Sequence, residues 1–230
     1  MKELDVIFLS NTSDIETYKM TQNAISSLKN SESNEFNIIL VESNKNSTYK
    51  YDVDHYIVPD VSFNYNTYLN IGAEYCECDF TAVSNNDVVF NKGWWTKMKA
   101  AFESHNLDTA SPKSPTEQFG LNPYWEIKHR YTPITKVVEG FDVVYTFCGW
   151  CWVMKKSVRE WIFPLDEQFS FFFQDNDITK RLQQRGCKHA LVGGSLVNHM
   201  GQRSHKILHQ SGEYMKHTFD LEKNFKNKWG

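Results

Sequence analysis

The first half of the chain alternates short apolar runs with longer amphipathic segments, and this alternation restricts the possible folds more than any other feature. Apolar runs that end at polar turn residues predict buried strands at residues 4–9, 36–41, 55–58 and 80–84. Apolar residues spaced along one face predict helices at residues 14–28, 66–75 and 92–103. Strands that alternate with helices favour an α/β fold whose mostly parallel, doubly wound sheet is flanked by helices.

The second half of the chain has a different pattern, because four prolines occur between residues 112 and 133. We predict a loop-rich connection there, followed by a small antiparallel β-ribbon from residues 137–138 and 143–145. Further predicted elements are a strand at residues 147–154, a helix at 175–184, a strand at 190–192 and a terminal helix at 207–225. No repeat or linker separates these segments, so we predict a single domain over residues 1–230.

The composition is that of a globular chain, with 40% hydrophobic and 15% aromatic residues. No run of 18 apolar residues occurs, and the first residues lack the apolar stretch of a signal peptide. We therefore expect a cytoplasmic protein without a transmembrane segment, whose five cysteines stay reduced. The net charge of −3 gives no overall positive field for nucleic acid, although residues 178–230 contain ten Lys and Arg against three acids.

Polar residues follow three of the predicted strands. Ser10, Glu42 and the run Asn85-Asn86-Asp87 stand at the carboxyl ends of these strands, where doubly wound sheets bind ligands. A carboxylate between amide side chains suits a hard divalent cation and its phosphate ligands. The same run is also typical of a turn in which Asn and Asp bond their own backbone, and both interpretations stay open.

Four acids lie close together between Phe163 and Asp177, flanked by aromatic residues. Apolar surroundings raise the pKa of a carboxylate and make it a usable general base. The alternative is that Asp175 caps a helix whose first turn contains Asp177. The two interpretations are compatible, because a capping loop can still present one carboxylate to a cleft.

A histidine follows the last predicted strand. His199 precedes Gly201 and Arg203, so the imidazole is a candidate metal ligand and the guanidinium a candidate phosphate contact. A single histidine is more often structural, and that alternative stays open.

Taken together in this order, these motifs resemble the family 2-like glycosyltransferases of the GT-A fold over nearly the whole chain. The resemblance implies that residues 1–105 bind a nucleotide sugar and that residues 106–230 bind the acceptor and carry out catalysis. It implies a donor site, which we predict to comprise Ser10, Glu42, Asn44, Asn66, Asn70, Asn86 and Arg203. It also implies that Asp87, His199 and Asn85 hold a metal ion, and that Trp150, Trp152 and Asp177 face the acceptor.

The chain departs from the family pattern at two positions. Asn85 stands where the family has the first acid of its metal motif, so metal binding rests more on Asp87, His199 and the donor diphosphate. Gln174 replaces the Glu of a catalytic Glu-Asp pair, which leaves Asp175 as the candidate base.

The implied reaction is an inverting transfer of a hexosyl or pentosyl group from a nucleotide-diphosphate sugar, with UDP-sugars first among the donors. Mn²⁺ or Mg²⁺ offsets the charge of the leaving group. Asp175 takes the proton of the acceptor hydroxyl, and either Arg203 or Lys206 neutralises the departing diphosphate.

The acceptor is either a glycan or a hydroxymethylated base in DNA. The compact length and the Lys-Trp-Gly ending resemble small phage-encoded transferases, and the basic residues after 178 suit phosphates. The alternative for this basic segment is a solvated surface. A non-catalytic module that binds nucleotide or sugar with altered motifs is the alternative function, and the oligomeric state is left open.

Cys148 and Cys151 have the spacing of a redox or zinc-binding pair, and Cys76 and Cys78 offer two further zinc ligands. The surrounding residues predict a strand, whereas a redox pair begins a helix. We therefore favour a structural role for these cysteines.

Overall fold

The computed structural model describes residues 2–33, 35–115, 128–129, 131–143, 145–170, 172–200 and 213–230, with side chains in the last segment from residue 219. Within these residues the strands are β1 Leu4–Ser10, β2 Phe36–Glu42, β3 His55–Ile57, β4 Phe80–Ser84, β5 Val88–Phe90, β6 Thr109–Lys113, β7 Val137–Glu139, β8 Cys151–Lys155 and β9 His189–His199. The helices are α1 Ile15–Ser31, α2 Tyr65–Ala73, α3 Trp94–His105, α4 Lys156–Ile162, α5 Gln174–Gln184 and α6 Glu213–Trp229.

The strands form one sheet in the order β3-β2-β1-β4-β8-β6-β9-β5, and β7 pairs with β9. The neighbours β3, β2, β1 and β4 are parallel, which confirms the predicted doubly wound half. β8 runs antiparallel to both β4 and β6, and β6 is parallel to β9. This arrangement brings the carboxyl ends of β1, β2, β4, β6 and β9 to one edge of the sheet, which we call the carboxyl edge.

Local chemistry explains where the helices begin and which faces they bury. Asp14 caps α1 by accepting hydrogen bonds from the backbone N–H groups of Glu16 and Thr17, at 2.9 and 2.7 Å. Trp94 and Trp95 at the start of α3 are fully buried, and they supply much of the apolar area on one side of the sheet. Among the described residues, no helix combines the length and apolar character needed to cross a membrane.

A buried polar network ties the opposite edge of the sheet together. The carboxylate of Asp5 on β1 is fully buried and forms an ion pair with Arg159 of α4 at 2.9 Å. It also accepts hydrogen bonds from the Asn37 amide at 2.8 Å and from the backbone N–H of Cys78 at 2.9 Å. These contacts join β1, β2 and the turn before β4 to α4.

The second half of the chain differs from the sequence prediction at β6, β7 and β9, and helix α4 was not predicted. The predicted antiparallel pairing at residues 137–138 is confirmed, but the partner of β7 is β9. Residue 144 of the predicted second strand lies outside the described residues. β6 was missed because Pro112 lies inside it, at a shift in the register with β9. β9 is longer than predicted and contains Gly193, where a Cβ atom would lie 2.3 Å from the carbonyl oxygen of Pro133.

The cysteines lie at opposite edges of the sheet. Cys78 donates its backbone N–H to Asp5, whereas Cys151 pairs with Ser84 at the carboxyl edge. Cys148 is also fully buried, and burial raises the pKa of the Cys151 thiol, which disfavours the thiolate that redox chemistry needs. The separation of the two pairs excludes one zinc site built from both of them in this fold.

Candidate active site

The run Asn85-Asn86-Asp87 leaves β4 at the carboxyl edge and leads into β5. The backbone N–H of Asn85 donates to the Trp150 carbonyl at 2.8 Å, which holds the run beside the turn before β8. The Asn86 amide donates to the Thr21 hydroxyl of α1 at 2.8 Å. The run bends between β4 and β5, and the pairing of β5 with β9 brings Asp87 beside His199.

Asp87 and His199 form the first candidate pair. The Oδ1 atom of Asp87 lies 3.3 Å from Nε2 of His199, because β5 and β9 pair with Val88 opposite His199. Burial opposes ionisation of Asp87, but the hydrogen bond and charge of His199 keep the pKa of this carboxyl below its usual value. The Trp150 ring stacks on the imidazole at a centroid distance of 5.0 Å and an interplanar angle of 8°, which fixes the orientation of the imidazole.

This pair fits two ligand positions of a divalent cation. Two ligand atoms about 2.1 Å from one ion and at right angles to each other are about 3 Å apart, close to the observed Asp87–His199 separation. A carboxylate and an imidazole suit Mn²⁺ better than a site of oxygen atoms alone. Three or more acidic, Cys or His side chains are not grouped for a metal anywhere in the described part of the chain. An ion held here therefore needs further ligands, such as diphosphate oxygens.

Asp175 approaches the same edge from the first turn of α5. The helix begins after Phe173, so Asp175 lies inside it and does not cap it, contrary to the alternative drawn from the sequence. A Cβ atom on Gly149 would lie 2.1 Å from Oδ2 of Asp175, which shows how closely the carboxylate approaches the turn before β8. Burial raises the pKa of Asp175 to about 6, and none of the residues described donates a hydrogen bond to it.

Tyr65 links the two acidic positions. Burial and the nearby negative charges of Asp175 and Asp87 together raise the pKa of its phenol, which places the hydroxyl within electrostatic range of both carboxylates. The residue is the first of α2, and its backbone N–H donates to the Ser170 carbonyl at 3.0 Å. A neutral phenol can donate a hydrogen bond toward either carboxylate or a ligand between them.

The predicted base-binding residues are tied into the loop between β1 and α1. Glu42 is fully buried, and its carboxylate accepts hydrogen bonds from the Thr12 hydroxyl at 2.6 Å and the Asn44 backbone N–H at 2.7 Å. The Asn44 amide donates to the Thr12 carbonyl at 2.6 Å, and the Ser10 hydroxyl lies 2.9 Å from the Thr12 hydroxyl. Glu42 therefore shapes this loop through Thr12, and its contact with a nucleotide stays a prediction.

Asn66 and Asn70 on α2 hold the loop between α4 and α5. The Asn66 amide donates to the Asp166 carbonyl at 2.7 Å, and the Asn70 amide donates to the Leu165 carbonyl at 3.0 Å. The backbone N–H of Leu165 returns a hydrogen bond to Asn70 at 2.6 Å. These bonds give both residues a structural role at the edge of the site, and their assignment to the donor stays a prediction.

Two predicted residues are engaged within the fold, and a third lies outside the described residues. Trp152 is 1% exposed and packs on Phe147, so it offers no ring face to an acceptor in this structure. Asp177 is 1% exposed and accepts a hydrogen bond from the Trp229 indole at 2.8 Å, so it too is engaged within the fold. Arg203 belongs to the segment 201–212, which the structure does not describe.

Sequence reasoning missed Tyr65, Gly149, Lys228 and Trp229. Gly149 stands inside an apolar run, where a glycine often marks the close approach of another group, so this signal was present. Tyr65, Lys228 and Trp229 are distant from α5 in sequence and approach Asp175 or its helix only in the folded chain, so no local sequence pattern identifies them.

Comparisons with known proteins identify the family of the chain and show its fold. The sequence profile described as Glycosyl transferase family 2 matches residues 15–163, which end before Asp175 and His199. No curated protein matches the chain significantly. Among solved structures, the crystal structure of TarS 1–349 from S. aureus is similar, with a TM-score of 0.63 and 10% identity. The match covers 85% of this chain and 59% of that chain, and at this identity it shows a common fold.

Proposed function

The chain belongs to glycosyl transferase family 2, and from this premise we propose that it transfers a sugar from a nucleotide-diphosphate donor to an acceptor hydroxyl with inversion. Asp175 is the general base in this proposal. The observation that carries it is the partly buried Asp175 carboxylate, whose pKa burial raises to about 6 and which lies at the edge where Asp87 and His199 meet.

Asp175 fits the task of a general base because its pKa lies close to neutral pH. A base of this strength is ionised at pH 7 and still accepts a proton as the acceptor oxygen becomes more acidic. In the transfer, the acceptor oxygen bonds to the anomeric carbon and its proton passes to Asp175. The bond from the anomeric carbon to the diphosphate oxygen breaks, and the nucleoside diphosphate leaves with the electron pair. One displacement of this kind inverts the anomeric configuration.

Asp87 and His199 are the residues that would hold a divalent cation, Mn²⁺ or Mg²⁺. Such an ion supplies Lewis acidity toward the diphosphate, which lowers the cost of the charge on the leaving group. Asn85 and Asn86 flank Asp87 and orient it, since Asn85 is anchored to the Trp150 carbonyl and Asn86 to Thr21. The stacked Trp150 ring keeps the imidazole from turning away.

The donor base and ribose are proposed to bind along the loop that Glu42 shapes through Thr12 and Asn44. This loop lies at the ends of β1 and β2, on the other side of Asn86 from α5, and the Ser10 hydroxyl lies 3.3 Å from that of Thr21. The order along the edge is then base, diphosphate and reacting sugar, which follows the order of the strands.

The acceptor is proposed to be either a saccharide or a hydroxymethylated base in DNA. Trp150 has one ring face against His199, and its buried indole N–H lacks an acceptor among the residues that the structure describes. For a hydroxyl-bearing ligand placed between Trp150 and Asp175, the indole N–H would donate a hydrogen bond and the Asp175 carboxylate would accept the hydroxyl proton. This chemistry is common to a sugar hydroxyl and a hydroxymethyl group.

A panel of nucleotide sugars tests the proposal. The enzyme is incubated with each donor, Mn²⁺ and either oligosaccharides or hydroxymethylated duplex DNA, and the released nucleoside diphosphate is measured. NMR of the product then shows whether the anomeric configuration is inverted. We expect one donor to be consumed, with UDP-sugars tested first, and EDTA to stop the release.

Asp87→Asn with His199→Ala provides the matched test of the cation site. We expect this double variant to need at least tenfold more Mn²⁺ for half-maximal rate, whereas the exposed-surface variant Glu160→Gln stays at the wild-type value. Binding of a nucleotide sugar without any turnover under all of these conditions would identify a non-catalytic binding module and refute the proposed function.

A further inference from the structure

The last residues of α6 pack against the loop and helix that carry Asp175. The Lys228 ammonium lies 2.6 Å from the Asp177 carboxylate and 2.7 Å from that of Asp166. The Trp229 indole N–H donates to Asp177 at 2.8 Å. One lysine therefore connects the first turn of α5 to the α4–α5 loop (residues 163–173).

Aromatic contacts add to this connection. The Phe225 ring stacks on Phe173 at a centroid distance of 5.5 Å and an angle of 29°, and it meets Phe169 edge-on at 6.3 Å. Phe173 has a φ of +63°, a left-handed conformation that is unfavourable for a bulky residue. The residue that precedes α5 is thus held in a strained conformation beside the ring of Phe225.

The geometry of α5 connects these contacts to the proposed base. Successive helical residues turn by about 100°, so the side chains of Asp175 and Asp177 point in directions roughly 200° apart. Asp177 points into α6, where it is 1% exposed, and Asp175 points toward Gly149. A contact that fixes Asp177 therefore fixes the rotation of the first turn and with it the direction of the Asp175 carboxylate.

The α4–α5 loop is held from its other side by α2. Asn66 and Asn70 bind the carbonyl groups of Asp166 and Leu165, as described above, and they do not reach the first turn of α5 in any contact of the described residues. The contacts from the two helices therefore differ: α2 contacts the α4–α5 loop, whereas α6 contacts both this loop and the first turn of α5.

We propose that Lys228 and Trp229 are positioning residues, which hold the first turn of α5 so that Asp175 faces the acceptor hydroxyl. This inference rests on the proposed role of Asp175 as the base. The end of α6 then acts as a clamp, which we define as Phe225, Lys228 and Trp229. It contributes to the chemical step without touching the substrate.

Lys228→Met is the main test, with Lys228→Arg as its conservative partner. We expect kcat of Lys228→Met to fall 10- to 100-fold while KM for the donor stays within threefold, because the donor loop between β1 and α1 is untouched. Lys228→Arg keeps a cation between Asp166 and Asp177 and should recover most of the rate. Lys226→Met is the control, since Lys226 is exposed and, within the described part of the chain, its ion pair is with Glu222 of the same helix at 2.6 Å.

The pH dependence of kcat separates positioning from a general loss of structure. Three titratable groups lie around Asp175. Tyr65 of α2 interacts electrostatically with both Asp175 and Asp87. Asp177 lies two residues away on α5. Removing the Lys228 cation leaves the charge of Asp177 unneutralised two residues from the base, and a nearby negative charge raises the pKa of a carboxyl. The acid limb of kcat should move to higher pH in Lys228→Met and return in the double variant Lys228→Met with Asp177→Asn.

Trp229→Phe covers the case in which Lys228→Met does not fold, because it removes one N–H and keeps most of the ring. We expect about a fivefold lower kcat with an unchanged KM for the donor. Wild-type kcat and an unmoved acid limb in both variants would overturn the clamp. Full turnover in Asp175→Asn would instead overturn the base itself, and the two failures are thereby distinguished.

Discussion

Asp5 lies fully buried at one edge of the central sheet and Asp175 partly buried at the other, and the two carboxylates have opposite surroundings. At the amino edge, Asp5 receives an ion pair from Arg159 and hydrogen bonds from the Thr81 hydroxyl and the backbone of Glu77 and Cys78. At the carboxyl edge, Asp175 receives no hydrogen bond from the described residues, and burial raises its pKa to about 6. A fully bonded buried charge stabilises one arrangement of the chain, whereas an unbonded one costs stability.

This difference distinguishes a structural carboxylate, Asp5, from a candidate catalytic carboxylate, Asp175. Polar groups removed from water are almost always hydrogen-bonded, so an exception at the carboxyl edge is a candidate for catalysis. Glu42 lies at the same edge as Asp175 and is also buried, yet three hydrogen-bond donors surround it. Its surroundings resemble those of Asp5, which favours an organising role over direct chemistry.

The largest effect that we expect is the loss of transfer in Asp175→Asn. An amide cannot accept the acceptor proton, and loss of a general base typically costs 10²- to 10⁴-fold in rate. We expect about a 10³-fold lower kcat with little change in the dissociation constant of the nucleoside diphosphate. Single-turnover kinetics and calorimetric binding of the nucleotide measure the two quantities.

Near-normal turnover in Asp175→Asn would remove Asp175 from catalysis and break the contrast between the two edges. Glu160→Gln is the control, since Glu160 is an exposed acid on α4 whose amide should leave both quantities unchanged.

Asp5→Asn should show the opposite pattern. It leaves the Arg159 guanidinium buried without a counter-ion, and breaking such a pair typically costs 3–5 kcal/mol. We expect the free energy of unfolding to fall by about 3 kcal/mol, while kcat per folded molecule stays within twofold of wild type. Urea unfolding followed by tryptophan fluorescence, together with active-site titration, measures both. A large fall in kcat with unchanged stability would show that the amino edge influences the chemistry.

Local patterns predicted the parallel half of the fold, because apolar runs and turn residues are adjacent in sequence. Ser10, Glu42 and Asp87 were placed at the ends of their strands on this basis, and β1, β2 and β4 have those ends. β6 could not be found in the same way, since Pro112 reads as loop and only the pairing with β8 and β9 makes the segment a strand.

Sequence patterns nominate single residues of the candidate site, such as Asp175 and His199, but not the contacts between distant segments. The close approach of Gly149 to Asp175 and the Trp229–Asp177 hydrogen bond, which spans 52 positions, arise only when those segments pack. The identity of a residue also does not show in which direction its side chain points. Trp152 was predicted to face an acceptor, whereas the alternation of β8 points it into the core.

Gly149→Ala sharpens the contrast by disturbing Asp175 without changing its charge. The added Cβ would lie 2.1 and 2.3 Å from the two carboxylate oxygens, so the flexible Asp175 side chain must turn away. A small displacement of a reacting group can cost 10²-fold, and we expect about that loss in kcat with nearly unchanged stability. Steady-state kinetics and thermal unfolding of the same preparations provide the measurement.

Gly72→Ala is the matched control for this prediction. Its Cβ would lie 2.7 Å from the Ile7 side chain in the core between α2 and β1, so we expect lower stability with wild-type kcat per folded molecule. If both alanine variants lowered stability equally and left kcat intact, the Gly149 contact would be ordinary packing.

The smallest expected effect is the pH dependence of stability that Asp175 produces. Its pKa is raised in the folded state from 3.8 to about 6, so folding favours the protonated form. The stabilisation from this group is complete below about pH 3.8 and is lost as the pH rises through about 6. A rise in pKa from 3.8 to about 6 corresponds to about 3 kcal/mol, which the partial solvent exposure of Asp175 reduces to about 2 kcal/mol. Asp175→Asn removes this dependence and should be more stable than wild type by that amount at pH 8, with the difference vanishing near pH 4. Urea unfolding of both proteins across this range measures it, and a difference independent of pH would show that the buried carboxylate is compensated by a partner, as Asp5 is.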